Sequence, residues 1–399
     1  MKRELRIGFL PLTDCAILVA AQERGFFEKY GLRVTLQREV SWANIRDRVA
    51  FGELDAAHML APMPLAATLG IDGLGIPMQT ALSLGLNGSA ITLSTKLVQD
   101  IRSRFPEHLR SSPLRATGLK ALLTHEPGRR LVLGCVYPFS QHHYLLRAWL
   151  QDAGLQIGSE VEIQVIPPSQ MVSALAKDQI DGYCAGEPWN QVAVQSGIGT
   201  VAATSYSLWN NGPEKVLGVT SAWAEANPAT YMNLLCALLE AAQWVDARQH
   251  RKQLAALLAR PQYLDTALEL ICAPLLGHYR HAADEPERLL PDFNVFARYA
   301  ANFPWHSHGR YFLQQMQAAG QLPHSVKDEA ALLAEVYRTD CYREAAHSLN
   351  LPYPSSDDMP LVNCTAPWIL HEASQPIVMG SNHIALHQLS ALGTKPVSY

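Results

Sequence analysis

Charge is scarce in this 399-residue chain: 17% of residues are charged, and 32 Lys and Arg against 36 Asp and Glu leave a formal charge of -4. That balance excludes the broad basic field that draws nucleic acid non-specifically, so no direct nucleic-acid contact is expected. Long apolar runs are also missing. Each hydrophobic stretch is broken by a charge, Gly or Pro well before the roughly 18 residues that span a bilayer, so no membrane association is expected. Cysteine is present seven times but scattered, and never as Cys-x-x-Cys, which argues against a zinc ribbon or a disulfide framework and for reduced thiols. The basic start, Met1 to Arg3, does not lead into a secretory signal. Glu4 and Arg6 interrupt it, the apolar run 7–12 is short, and Asp14 follows, so a cytoplasmic location is expected.

Enzymatic signatures are lacking where they would be recognised. There is no Gly-x-Ser-x-Gly elbow, Walker loop, dinucleotide fingerprint after a strand, or His-Glu-x-x-His. His142-His143 and His306-Ser307-His308 have no third ligand at a telling spacing, and neighbouring histidines point apart. Binding is therefore favoured over catalysis, with no cofactor and no metal.

What is present is ample core, 48% hydrophobic residues, arranged in an alternating pattern. Residues 5–11 and 33–40 predict strands, and Thr13-Asp14 offers an N-cap to a helix over 17–24. Ser41 caps a helix over 42–51, and 54–60 predicts a third strand, stopped by Pro62 and Pro64. The order returns with a strand over 131–136, a helix over 142–152, a strand over 161–166, a helix from Ser169 to Lys177, and Ile180-Asp181-Gly182-Tyr183-Cys184 standing where Leu54-Asp55-Ala56-Ala57-His58 stood. Asp55 and Asp181 read as turn formers. Two α/β lobes are implied.

An arginine-rich stretch, 100–130, reads as a surface insertion and a candidate partner face. After Asn227-Pro228, leucines at helical spacing predict a mainly helical third of the chain. From Leu351 on, prolines and weak periodicity suggest a segment that wraps or trails.

In open α/β units ligands collect beyond the carboxyl ends of the strands, among helix N-termini. The loops that reach that space are Thr13-Asp14, Ser41-Trp42, 58–64, 138–143 and 187–190, with Lys215 joining them. A small anion there needs a fixed cation, several donors and an apolar wall, which Lys215, Ser140, Gln141, His142 and Trp42 can supply. Each also has an ordinary role open to it: Trp42 as packing, Lys215 as a solvated charge, His142 as a helix-end residue.

These residues resemble a known family, the substrate-binding proteins of nitrate and bicarbonate ABC transporters and their cytoplasmic relatives, the NasS-type nitrate/nitrite sensors. The resemblance is carried by Ile7-Gly8-Phe9-Leu10-Pro11-Leu12-Thr13-Asp14, Gly25-Phe26-Phe27, Ser41-Trp42, the run from Asp55 to Pro64, Asn87-Gly88, Gly186-Glu187-Pro188-Trp189-Asn190 and Pro213-Glu214-Lys215. It implies the α/β, type II periplasmic-binding-protein fold, two lobes with a ligand cleft between them. The lobes would divide as 1–93 and 216–345 for lobe I and 94–215 for lobe II, with 346–399 as a C-terminal extension.

The resemblance further implies an anion site at Trp42, His142 and Lys215, with Glu187 and Ser89 nearby; Ser89 stands where the family often has glutamine. A lysine at 215, where bicarbonate binders carry a carboxylate, implies nitrate or nitrite, because nitrate only accepts hydrogen bonds. Lys215→Glu should then abolish nitrate binding without unfolding the protein. For a NasS-type protein the implied partner is an RNA-binding antitermination regulator of the NasT type with an ANTAR domain, held until ligand releases it. The rival implications are a transporter's binding component and an enzyme on the same scaffold, like the pyrimidine-synthesis relatives used for thiamine.

Overall fold

The computed structural model describes residues 2–359 and 364–386. Strands β1 (Glu4–Phe9), β2 (Arg33–Arg38) and β3 (Ala56–Leu60) are parallel, with β1 in the middle. β4 (Met78–Gln79) and β5 (Ser83–Asn87) follow, and the chain then changes sheets through one residue, Gly88. β6 (Ser89–Ser94), β7 (Leu131–Cys135), β8 (Val161–Val165), β9 (Gly182–Gly186) and β10 (Gly199–Thr204) form the second sheet, in the order β10-β6-β9-β7-β8. The return crossing runs over 205–212 and ends in β11 (Pro213–Thr220), which lies antiparallel between β3 and β5 of the first sheet. Two mixed sheets, each joined to the other by two crossings, make the two-lobed periplasmic-binding-protein fold.

The crossings fall earlier than the lobe borders read from sequence. Sheet pairing places 89–94 in lobe II and 213–215 in lobe I, because a strand joins the sheet whose edge offers it backbone partners: β6 pairs with β9 and β10, and β11 with β3. Lys215 thereby belongs to lobe I.

Lobe I buries both faces of its sheet. Ala56, Leu217 and Val219 point to one core, with the helices Ala16–Glu23 and Pro228–Asp246, whereas Ala57, Met59 and Val216 point to the other, the alternation a strand imposes. The region after β11 is helical, as the leucine spacing predicts, with helices including Arg251–Leu258, Leu268–Leu276 and His306–Ala318. It also holds the hairpin of β12 (His278–Tyr279) and β13 (Arg288–Leu289), then β14 (Asn294–Val295), which pairs with β5. The hairpin reaches lobe II, where the Val201 N–H donates to the His281 carbonyl at 2.7 Å.

Asp55 and Asp181 have matching structural roles. The Asp55 carboxylate accepts the Arg6 N–H of β1 at 2.9 Å, and the Asp181 carboxylate accepts the Val132 N–H of β7 at 2.8 Å. The arginine-rich stretch folds as the helices Thr95–Arg104 and Thr117–His125 with a short turn between them. Two of its arginines pair within it, Arg104 with Glu126 and Arg129 with both Asp100 and Glu126, while Arg115 and Arg130 reach out to Asp152 and Glu162.

The C-terminal segment wraps. The helix Thr339–Ser348 runs past 346, β15 (Trp368–Leu370) and β16 (Ile377–Met379) pair as a hairpin, and the chain then settles on the second crossing. There Trp209 Nε1 donates to Asn382 Oδ1 at 3.0 Å, and the Ala385 N–H donates to the Leu208 carbonyl at 2.8 Å. The rest of the predicted extension lies outside the described residues. Among those described, no helix is long and apolar enough to cross a membrane, and no group of three or more His, Cys, Asp or Glu is arranged to hold a metal.

Candidate functional site

The site lies beyond the carboxyl ends of β1 and β3 in lobe I and of β7 and β9 in lobe II. Each lobe brings one capped helix to it. Ser41 Oγ accepts the Asn44 N–H at 3.2 Å and so starts the helix Trp42–Ala50 with the indole on its first turn. Ser140 Oγ accepts the His143 N–H at 3.0 Å and starts the helix Gln141–Asp152, which puts His142 on its first turn. Both caps satisfy amides that a helix end would otherwise leave bare.

Lys215 is 1% exposed and sits at the centre. Its Nζ lies 2.7 Å from Asp14 Oδ2, 2.8 Å from Glu214 Oε1 and 5.6 Å from the centre of the Trp42 ring, a cation–π approach. Asp14 also holds His58 Nε2 at 3.0 Å, and the His58 ring meets Trp42 edge-on at 5.3 Å. His142 Nδ1 is 3.4 Å from Glu214 Oε1 without making a hydrogen bond, and Ser89 Oγ donates to Glu214 Oε2 at 3.2 Å. The Trp42 indole N–H, both ring nitrogens of His142 and the Gln141 side-chain oxygen are buried with no hydrogen-bond partner among the described residues. Unsatisfied buried polar groups are costly, and here they stand around an ammonium group.

Burial works against every charge in this space. It acts to raise the Asp14 pKa, but Lys215 and His58 outweigh it and hold that carboxylate well below its ordinary range. It acts to lower the Lys215 pKa, and Asp14 and Glu214 more than offset this, so the ammonium is retained. Glu214 is raised, burial prevailing over Lys215. Burial lowers His58 and takes His142 well below the ordinary histidine range, with Lys215 adding to the effect on His142, so both rings are held towards neutrality.

Of the residues singled out in the sequence, Trp42, His142 and Lys215 thus stand together. Ser140 supports them as a cap, its Oγ donating to the Tyr137 carbonyl at 2.6 Å. Gln141 is buried at the same helix end. Ser89 is one step behind, bonded to Glu214. Glu187 is engaged elsewhere: its carboxylate accepts the Tyr279 hydroxyl from β12 and the Gln191 N–H at 3.2 Å, while its backbone oxygen accepts the Thr13 N–H at 2.9 Å. Burial pushes the Glu187 carboxyl up to about 7.

Thr13 and Asp14 do not cap a helix with their side chains. They form a short turn before the helix Ala16–Glu23, and Asp14 is drawn to Lys215 and His58 instead.

Three participants are absent from the sequence-based site. Asp14 and His58 lie on loops read as reaching the cleft, and that placement is their only signal. Glu214 was concealed by strand alternation, which should send the neighbours Glu214 and Lys215 to opposite faces. The pairing of β11 with β5 shifts register between Pro213 and Lys215 and again before Val216, and this irregularity brings both side chains to one pocket.

The fold and the site define a two-lobed ligand-binding protein of the periplasmic-binding-protein class. The chain belongs to the NMT1-like family, whose model matches residues 1–259. It is 31% identical over 357 residues to the nitrate/nitrite binding protein NrtA of Synechocystis sp., covering 87% of this chain and 77% of that one. It is 40% identical over 352 residues to the nitrate import ATP-binding protein NrtC of Synechocystis sp., covering 88% of this chain and 51% of that protein. The chain thus spans about half the length of NrtC. A crystal structure of the periplasmic nitrate-binding protein NrtA from Synechocystis PCC 6803 is similar with a TM-score of 0.83 and 30% identity, covering 89% of this chain and 92% of that one.

Proposed function

We propose that this chain binds nitrate or nitrite in the cleft and acts as a cytoplasmic sensor, holding an RNA-binding antitermination regulator of the ANTAR type and releasing it when the anion binds. The observation that carries the ligand is the buried Lys215 ammonium, stacked under Trp42 and ringed by the unpaired Trp42 Nε1 and His142 donors. A planar oxyanion that only accepts hydrogen bonds meets those needs together: charge from Lys215, donors from Trp42 and His142, and a flat apolar wall. The names of the binding-protein relatives support the same ligand class. The sensor role rests on the resemblance noted in the sequence.

Release of a partner requires that the anion favour one arrangement of the lobes over the one that holds the partner, since equal affinity for both shifts nothing. The Thr13–Glu187 hydrogen bond joins the lobes in the arrangement described here.

A second reading is a binding component of a nitrate or bicarbonate transporter. The alignment with half of a nitrate import ATP-binding protein favours it. Calorimetric titration of the anion-free chain with nitrate, nitrite, bicarbonate and sulfate tests the ligand, with saturation by nitrate or nitrite alone as the expected result. Capture of an ANTAR regulator that is lost on adding nitrate supports the sensor; capture of transporter subunits instead supports the second reading. Trp42→Phe keeps the ring and removes the N–H, and should weaken nitrate binding by about tenfold, roughly one hydrogen bond to an anion.

A further inference from the structure

Two carboxylates, Asp14 and Glu214, face the single Lys215 ammonium at 2.7 and 2.8 Å. With both ionised and the histidines neutral the pocket carries one net negative charge before any ligand enters. An anion would bring a second negative charge into a water-poor space, which low local dielectric makes prohibitive unless a proton enters too. From this geometry we infer that Glu214 is a specificity-determining residue of the anion site: it enters the complex as the neutral carboxylic acid, so that one proton is taken from solvent for each anion bound. The inference rests on the anion-binding reading above.

Glu214 is the group placed to take that proton. Asp14 is pinned as an anion between Lys215 and His58, whereas Glu214 is 2% exposed and, among the described residues, has only Lys215 as a close cation. The groups that face it are Lys215 on its own strand, Asp14 from the turn after β1, the Ser89 hydroxyl of β6, His142 of the helix Gln141–Asp152, Cys184 of β9 and Tyr311 of the helix His306–Ala318. Cys184 and Tyr311 both have pKa values raised by burial, so neither supplies charge, and burial already raises Glu214 itself.

Proton transfer is balanced simply: a buffer acid gives up one proton and the Glu214 carboxylate gains an O–H. That O–H adds a donor to a ring of donors, which suits an anion that only accepts. It also removes one negative charge from the pocket. A divalent oxyanion such as sulfate would still bring one charge too many.

The test is titration of the intact chain with sodium nitrate in buffers of different ionisation enthalpy, at several pH values between 6 and 8.5. The expected result is an observed heat that varies with buffer in proportion to one proton taken up, and affinity that falls by about tenfold per pH unit where uptake is complete. Glu214→Gln, which is isosteric and keeps donors and acceptors for Ser89 and Lys215, should flatten both dependences while binding nitrate as well as, or better than, the parent at pH 8. Saturable nitrate binding with buffer-independent heat overturns the inference and leaves the anion reading standing. Uptake that persists in Glu214→Gln also overturns it, assigning the proton to His142 or His58. No saturable binding by any of the anions at any pH overturns both.

Discussion

Lys215 is held by two buried carboxylates, and this changes what its replacement does. Lys215→Glu would crowd three carboxylates into one dry pocket, so the expectation that it leaves the fold intact does not survive the geometry. Breaking a buried pair by removing one partner costs about 3–5 kcal/mol. We expect Lys215→Glu to lose much of its thermal stability, measurable by calorimetry, whereas Trp42→Phe and His142→Gln should melt near the parent and report on binding. Glu187 offers a separate test. Its pKa, pushed up to about 7, lies above that of the unfolded chain, so its contribution to stability is fully present below about pH 4.5 and is lost as pH rises through 7. Glu187→Gln should match the parent near pH 4 and exceed it above pH 8 by up to about 3 kcal/mol, read from denaturant midpoints. Single residues with a fixed chemical role were the most legible part of the site: Trp42, His142 and Lys215 come together, while the Glu187 carboxylate is taken up by Tyr279 and Gln191 and only its backbone oxygen meets Thr13.

Strands and helices were legible to within a few residues wherever period and cap agreed. The helix after Ser41 begins where that hydroxyl predicts, the helix expected from 142 begins at Gln141 behind the Ser140 cap, and β1, β2, β3, β7, β8 and β9 all lie near their expected places. What period cannot show is an irregularity, and the register shift in β11 is why Glu214 was missed. The caps also carry function, since each sets the first turn that presents Trp42 or His142. Ser140→Ala should cost about 1 kcal/mol of stability and weaken anion binding beyond that loss, through a displaced His142. The paired aspartates belong to this scale as well. Asp181→Ala leaves the Val132 N–H without its acceptor and should lower stability by about 1–3 kcal/mol, with faster amide exchange along β7 as the local readout.

Across the whole molecule, the division into two lobes was legible because the β-α-β order repeats. The C-terminal course was not, since its seat on the second crossing depends on hydrogen bonds such as Trp209 to Asn382 that follow no period. Asn382→Ala should lower the melting temperature by several degrees and speed amide exchange over 208–211, as the buried indole loses that partner. The two crossings have a mechanical consequence. Ser89 follows the first and Glu214 follows the second, and their 3.2 Å hydrogen bond ties the two hinges together at the pocket. The anion site therefore lies close to the axis about which the lobes turn, on a short lever arm. A shift of a fraction of an ångström at Glu214 would be geared up into a far larger displacement at the outer rims of the lobes.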